Sequence, residues 1–246
     1  MKASLDGRPL TALLLDLDDT ILDDGAGFEE AWSLAADLLV EGHPELARDV
    51  VVGEIDDARR WFWDDPERHR WGRLDLVAAR AEILGAALVR LGRPDAELAR
   101  RAARAYTELR ERRQRFLPGA REAVARLREL VPAMALVTNG ASVPQRGKLK
   151  RFGLEPFFDH IQIEGEFGMG KPELTVYRHV LDQLRVRPEE CLMVGDNFEA
   201  DVVGAQRAGI QGAWLDVKRR GRPPRAGPRP HWTLGRLDEL LSLLGG

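Results

Sequence analysis

Three short apolar runs, each cut off by a polar residue, constrain this 246-residue chain more than any other feature. Thr11–Leu15 stops at Asp16, Ala133–Val137 at Thr138, and Cys191–Val194 at Gly195-Asp196. None alternates apolar with polar side chains. A strand with one wet face must alternate, so these runs read as strands buried on both faces, the pattern of a parallel sheet. Helical stretches lie between them: Ala120–Leu130 after Pro118-Gly119, Pro144–Phe152 before Gly153, Leu174–Leu184 after Pro172, and Glu199–Ala208 before Gly209. Glycine just past a helix end supplies the left-handed closing residue. Weaker strands are expected at His160–Ile163 and Gly212–Leu215, and a last strand and helix within His231–Leu244. Strands alternating with helices give an α/β fold with helices on both faces of the sheet.

One segment breaks the rhythm. From about residue 24 to 115 there is no convincing strand, and helices are expected at roughly 26–41, 45–62, 73–91 and 95–115. Gly42-His43-Pro44, an acidic turn at Asp64-Asp65-Pro66, and Gly92-Arg93-Pro94 separate them. The domain expectation is a parallel-sheet core of residues 1–23 and 116–246, with 24–115 inserted as a helical module.

Composition limits the function classes. Hydrophobic residues are 44% and charged residues 31%, which excludes a disordered, collagen-like or disulfide-stapled chain. A net charge of −3 gives no pull toward nucleic acid or an anionic membrane. Apolar runs reach about five residues, against the roughly 20 needed to cross a bilayer. The opening MKASLDGRPLTALLLD meets an Asp too early for a secretory signal. Cys191 is the single cysteine, so no internal disulfide forms, and a cytoplasmic setting is expected. Five scattered histidines and one cysteine leave no zinc-type ligand set. The basic, Pro/Gly-rich stretch Lys218–Pro230 lacks interleaved aromatics and reads as an exposed loop, with a nucleic-acid tail as the alternative.

Ligands of open α/β sheets bind beyond the carboxyl ends of the strands. At those ends stand Asp16 and Asp18, then Thr138-Asn139-Gly140, then Gly195-Asp196-Asn197. Two like charges 4 Å apart at an effective dielectric of 20 cost about 4 kcal/mol, so converging carboxylates need a cation or a proton. An oxygen-only ligand set without His or Cys suits Mg²⁺. A lone Asp at a strand end is equally well a helix N-cap, but matching polar groups after three strands outrun that explanation.

These residues carry a resemblance. LLLDLDDTIL resembles motif I, DxDxT, of the haloacid dehalogenase (HAD) superfamily; TNG at 138–140 resembles motif II, Lys171-Pro172 motif III, and GDNFEAD at 195–201 motif IV. All four occur in order, each in its expected secondary-structure context, over about 10–23 and 117–216. An insert between motifs I and II is similar to the helical C1 cap of this superfamily. The general layout resembles the branch containing N-acylneuraminate-9-phosphatase and the pyrimidine 5′-nucleotidases. The resemblance therefore implies a Rossmann-like core with an inserted C1 cap.

It also implies roles. Asp16 would attack phosphorus to form an aspartyl-phosphate, and Asp18 would protonate the leaving alcohol and then activate water. Mg²⁺ would sit on the Asp16 carboxylate, the Asp18 backbone carbonyl and Asp196. The Thr138 hydroxyl and the Asn139 backbone N–H would hold phosphate oxygens, and Lys171 would neutralise the nucleophile and the transferring group. Asp201 would support the metal or serve as an ordinary first-turn helix charge; Thr20 would order the loop after the first strand or fill an ordinary turn. The expected function is Mg²⁺-dependent hydrolysis of a small phosphomonoester, a nucleotide or sugar phosphate, by a protein binding neither nucleic acid nor membrane. Whether it is a monomer or a homodimer stays open. Alternatives on the same core are a phosphomutase, a haloacid dehalogenase or a non-catalytic phosphate-binding protein. Dehalogenases of the superfamily lack an acid/base Asp two residues after the nucleophile, so Asp18 favours phosphate over halide. Phosphonatase-like chemistry would want a lysine in the insert, and all five lysines (Lys2, Lys148, Lys150, Lys171 and Lys218) lie outside it. In the insert, Trp32, Trp61, Trp63 and Trp71 with Arg68, Arg70 and Arg73 either form a stacking wall for substrate or pack and solvate the helices. Asp23-Asp24 either orient substrate or are loop polarity.

Overall fold

The computed structural model describes residues 4–5, 8–217, 221 and 228–245. Most of Lys218–Pro230, and with it the expected basic loop, lies outside the described residues. The chain divides into two compact units, Met1–Asp23 with Arg115–Gly246, and Asp24–Gln114. Among the described residues no helix is long and apolar enough to cross a membrane.

The chain opens with a small antiparallel pair, β1 (Ser4–Leu5) and β2 (Arg8–Pro9), followed by β3 (Ala12–Leu15). The second unit comes next, with α1 (Phe28–Gly42), α2 (Arg48–Trp63), α3 (Pro66–Gly72), α4 (Leu76–Arg90) and α5 (Ala96–Arg113). The first unit then resumes with α6 (Ala120–Leu130), β4 (Ala133–Thr138), α7 (Ser142–Phe152), β5 (His160–Ile163), α8 (Glu164–Phe167), α9 (Leu174–Leu184) and β6 (Cys191–Gly195). A π-helical turn at Phe198–Val203 leads into α10 (Gly204–Arg207), then β7 (Gln211–Leu215), β8 (Trp232–Leu234) and α11 (Glu239–Leu243).

Six strands form one sheet in the order β5-β4-β3-β6-β7-β8, and every neighbouring pair is parallel. β3 is central: Leu13 pairs with Met134 on one side and Leu192 on the other. Side chains two apart on a strand share a face. Leu13 and Leu15 join Met134, Leu136, Leu192 and Val194 in an apolar layer with Ala123, Val124 and Leu127 of α6. Leu14 joins Ala135, Val137 and Met193 in the opposite layer with Val176, Tyr177 and Val180 of α9. Both faces being covered is why these runs need no polar alternation.

The helical unit has its own core, with Phe62, Ile83, Leu84, Leu88 and Tyr106 fully or almost fully buried. Three of its helices start on an Asp: Asp65 accepts the Arg68 backbone N–H at 2.8 Å, Asp75 that of Ala78 at 3.0 Å, and Asp95 that of Leu98 at 2.9 Å. Each satisfies an otherwise orphaned helix N–H. The first of these corrects the sequence reading. Asp64-Asp65-Pro66 is not merely a turn between two helices; Asp65 caps a third one, α3, and Pro66 occupies its first position, where a missing N–H costs nothing.

Two other readings change. The single helix expected at 199–208 is a π-helical turn followed by α10. The Trp/Arg residues divide: Trp32 packs at a tilt against Tyr106 with centroids 4.6 Å apart, Trp63 and Trp71 pack edgewise on Phe62, and Trp61 stands half-exposed under the Arg68 guanidinium, 4.0 Å from its ring. Asp23 pairs with Arg115 at 2.9 Å and Asp24 with Arg110 at 3.4 Å, so each acid has an arginine partner within its own unit.

Candidate active site

Three polar strand ends meet at the carboxyl edge of the sheet, as the parallel register requires. Asp16 follows β3, and its backbone N–H continues the ladder to Val194 at 3.0 Å. The residue as a whole is 7% exposed. One carboxylate oxygen accepts from Lys171 Nζ at 2.8 Å and the other from Thr20 Oγ1 at 3.0 Å. Thr20 thus touches the Asp16 carboxylate itself, beyond ordering its loop.

Lys171 reaches this point from the loop before α9. Its backbone is clamped by Asn139, whose side-chain amide donates to the Lys171 carbonyl and accepts from the Lys171 N–H, both at 2.8 Å. A planar amide making two antiparallel bonds to one residue leaves that residue little freedom. Lys171 Nζ also donates to Asp201 Oδ1 at 2.6 Å. Asp201 is fully buried, and its second oxygen accepts the Asn197 N–H at 2.9 Å. The π-helical turn aims Asp201 under β6, and Gly195 makes the room: a Cβ there would lie 2.2 Å from the Asp201 carboxyl carbon. π-helical turns recur where a helix must carry a functional side chain off its regular path.

Asp16, Asp196 and Asp201 bring carboxylate oxygens within 4.8 Å of one another. The backbone carbonyl of Asp196 accepts Trp214 Nε1–H at 2.9 Å, which fixes the loop after β6. Burial is the main force on the Asp16 carboxyl and pushes it up; Lys171 pulls it down, Asp201 pushes it further up, and the balance is about 7. Burial disfavours the charge on Lys171, but the Asp16 and Asp201 carboxylates outweigh it and hold the ammonium above the ordinary lysine range. Two carboxylates share the Lys171 ammonium, and a third lies within 4.8 Å of them; an all-oxygen set of this kind fits a hard divalent cation.

Asp18 belongs to a separate cluster. Both its oxygens accept from Lys148 Nζ, at 2.6 and 2.7 Å, and Oδ2 also accepts from Gln145 Nε2 at 2.9 Å. The same Gln145 amide nitrogen lies 2.7 Å from Thr138 Oγ1 and 3.0 Å from the Asn139 carbonyl. Two carboxylates two residues apart therefore occupy different surroundings, one among acids with a buried lysine, the other on a Lys/Gln fork. Asn139 joins the clusters, its side chain on Lys171 and its carbonyl on Gln145. Gln145 and Lys148 were not singled out from the sequence. Their signal was an i, i+3 spacing on the helix that follows TNG, placing both on one face.

The chain has many relatives. The sequence profile of haloacid dehalogenase-like hydrolases matches residues 10–209. A phosphoserine phosphatase of Thermus thermophilus is 36% identical, over 88% of this chain and 92% of its own. The pyrimidine 5′-nucleotidase YjjG of Escherichia coli is 37% identical over 45% of this chain and 49% of its own. Among solved structures, the magnesium-bound HAD-hydrolase YfnB of Bacillus subtilis superposes with a TM-score of 0.72 at 25% identity, covering 96% of this chain and 99% of that one. With the profile spanning most of the chain and one relative matching nearly end to end, this chain belongs to the haloacid dehalogenase-like hydrolase family.

Proposed function

We propose that the chain hydrolyses a small phosphomonoester through an aspartyl-phosphate on Asp16, with Mg²⁺ as its cofactor. The observation carrying this reading is the split between the two carboxylates: Asp16 among Lys171, Thr20 and the acidic cluster, and Asp18 two residues on, held by a different cation. A nucleophile and an acid/base need unlike environments. A halide leaving group needs no proton and would give Asp18 no task in the first step.

Asp16, Asp196 and Asp201 are the side chains that would hold Mg²⁺ or stand in its immediate surroundings. The bound ion would offset the charge between an anionic nucleophile and an anionic phosphate. In the first half-reaction an Asp16 oxygen bonds to phosphorus as the ester P–O bond breaks, and Asp18 gives its proton to the departing alcohol oxygen. In the second, Asp18 takes a proton from water, the water oxygen bonds to phosphorus, and the Asp16 O–P bond breaks. Lys171 keeps the nucleophile aligned and balances charge on the transferring group. The Thr138 hydroxyl and the Asn139 backbone N–H hold phosphate oxygens.

Residues 24–115 act as a C1 cap in this reading, and the substrate is a small phosphorylated metabolite in the cytoplasm. Phosphoserine heads the candidates, because similarity to a phosphoserine phosphatase extends over most of both chains, whereas that to the nucleotidase covers less than half. Sugar phosphates and nucleotides follow. The test is a panel of phosphoserine, phosphoglycolate, sugar phosphates and nucleotides scored by kcat/KM with Mg²⁺. Wild-type turnover is expected, abolished by EDTA and by Asp16→Asn, which keeps the side-chain shape. Full activity in pure Asp16→Asn overturns the covalent route, and no wild-type turnover across the panel overturns the phosphatase reading.

A further inference from the structure

We infer that Lys148 and Gln145 are positioning residues that aim Asp18 at the leaving-group oxygen. The inference rests on the acid/base role proposed for Asp18 and says what makes that role effective.

Asp18 lies in the loop after β3, and a loop carboxylate left alone explores several rotamers. Here it does not stand alone. Lys148 Nζ lies within 2.7 Å of both its oxygens, and Gln145 Nε2 is 2.9 Å from one of them. Two donors from one helix face fix the carboxylate plane as well as its position. Lys148 makes no other ion pair among the described residues, and with side-chain exposures of 13% and 27% the Lys148–Asp18 pair is mostly out of water. That separates it from the surface pairs of the molecule, whose partners swing freely in solvent.

Gln145 supplies the reference point. It is 3% exposed, and its amide nitrogen reaches Asp18, Thr138 Oγ1 and the Asn139 carbonyl from one place. Thr138 and Asn139 are the residues assigned to the phosphate. One buried amide therefore sets the acid/base and the phosphate-holding groups in a common frame. An ångström of misplacement is enough to cost about 10²-fold in rate, so such a frame has kinetic weight. Neither residue touches the reacting atoms in this assignment; both work through Asp18.

The experiment is a leaving-group series, from p-nitrophenyl to p-methoxyphenyl phosphate, read as kcat/KM with Mg²⁺. That parameter reports the phosphorylation half-reaction, in which a poorer leaving group depends more on the proton from Asp18. Asp18→Asn sets the full effect of losing the acid. Lys148→Met is expected to cost about 10–100-fold on p-methoxyphenyl phosphate, less than the roughly 10²–10⁴-fold of outright general acid loss, and under about 3-fold on p-nitrophenyl phosphate. Lys148→Arg restores the wild-type slope. An equal loss across the series overturns the proposal in favour of a substrate contact or a structural role. An unchanged series, or a gain, also overturns it. If Asp18→Asn itself leaves the slope unchanged while Asp16→Asn is inactive, the acid/base reading falls and the positioning role falls with it.

Discussion

The two units use the same charged residues in opposite ways. In the sheet unit, the central ion pairs join residues far apart in sequence and out of water: Lys171 bridges Asp16 and Asp201, with side chains only 2%, 11% and 1% exposed. In the helical unit, many pairs are local and solvated, as in Asp56–Arg59, Asp57–Arg60 and Glu97–Arg100, each three residues apart on one helix, and a long-range pair such as Glu30–Arg113 is about half exposed. Some of its arginines also lie over rings, Arg59 over Phe28 and Trp32, each at 4.8 Å, and Arg68 over Trp61. Charges on the helical unit decorate a fold made by apolar packing. The Asp16, Lys171 and Asp201 charges of the sheet unit are held in place by a fold that desolvates them, and removing Lys171 leaves the two carboxylates uncompensated. The candidate site lies where charge is hard to keep.

The comparison breaks most visibly at Lys171. Lys171→Met strands buried carboxylates, and losing one partner of a buried pair typically costs about 3–5 kcal/mol. Turnover should vanish as well, and urea melts with parallel assays check both. If stability holds without Mg²⁺, the sheet unit tolerates its charges as easily as the helical one. Next in size is Phe62→Ala at the centre of the helical unit, where Phe62 is fully buried against Trp63 and Trp71. Truncating a core aromatic costs about 3–5 kcal/mol, here without removing any charge, and the loss should appear in thermal melts as lower stability of the helical unit. The smallest effect sharpens the contrast from within the sheet unit. Glu166 is a surface acid paired with Arg146 at 2.7 Å and bonded by Ser142 at 2.7 Å. The Arg146 hydrogen bond leads in lowering its carboxyl to about 2, from 4.5. A depressed carboxyl stabilises the fold above pH 4.5 and loses that contribution as pH falls toward 2. Solvent screening keeps the contribution under about 1 kcal/mol. Glu166→Gln should therefore be slightly less stable than wild type at pH 6 and equal to it near pH 2. A large gap at pH 6 would mean that exposed pairs matter here as buried ones do.

What the sequence made legible follows the same division. Strand ends were readable because a strand buried on both faces can place a polar residue only where it stops, which marked Asp16, Thr138 and Asp196. Asp18 was marked with Asp16 beyond the first strand and Lys171 came through the motif resemblance, but the separate surroundings of the two were not legible. Gln145 and Lys148 escaped because polar residues on a helix after a strand look the same whether they face solvent or a neighbouring carboxylate. The helix α3 escaped because Asp-Pro marks a turn and a helix start equally well. The path of Asp201 depended on a π-helical turn, for which no local pattern stood out. In the helical unit the spacing of apolar residues located most of the helices, but Trp and Arg counts could not say which rings pack and which stay half-exposed.

The pairing of β3 with β4 carries one more consequence. Leu13 meets Met134 across an interval that contains all of α1–α5. Closing a flexible loop of that length costs entropy that grows as 3/2 RT times the logarithm of its length. The helical unit, however, ties its own ends: α1 packs on α5, Arg113 binds Glu30 at 2.6 Å, and Arg110 binds Asp24. Once those helices have formed, the flexible chain left between the two strands is about 30 residues, and the closure cost drops by about 1 kcal/mol. An inserted unit whose ends are tied together thus shortens the span of flexible chain that the β3–β4 pairing has to close.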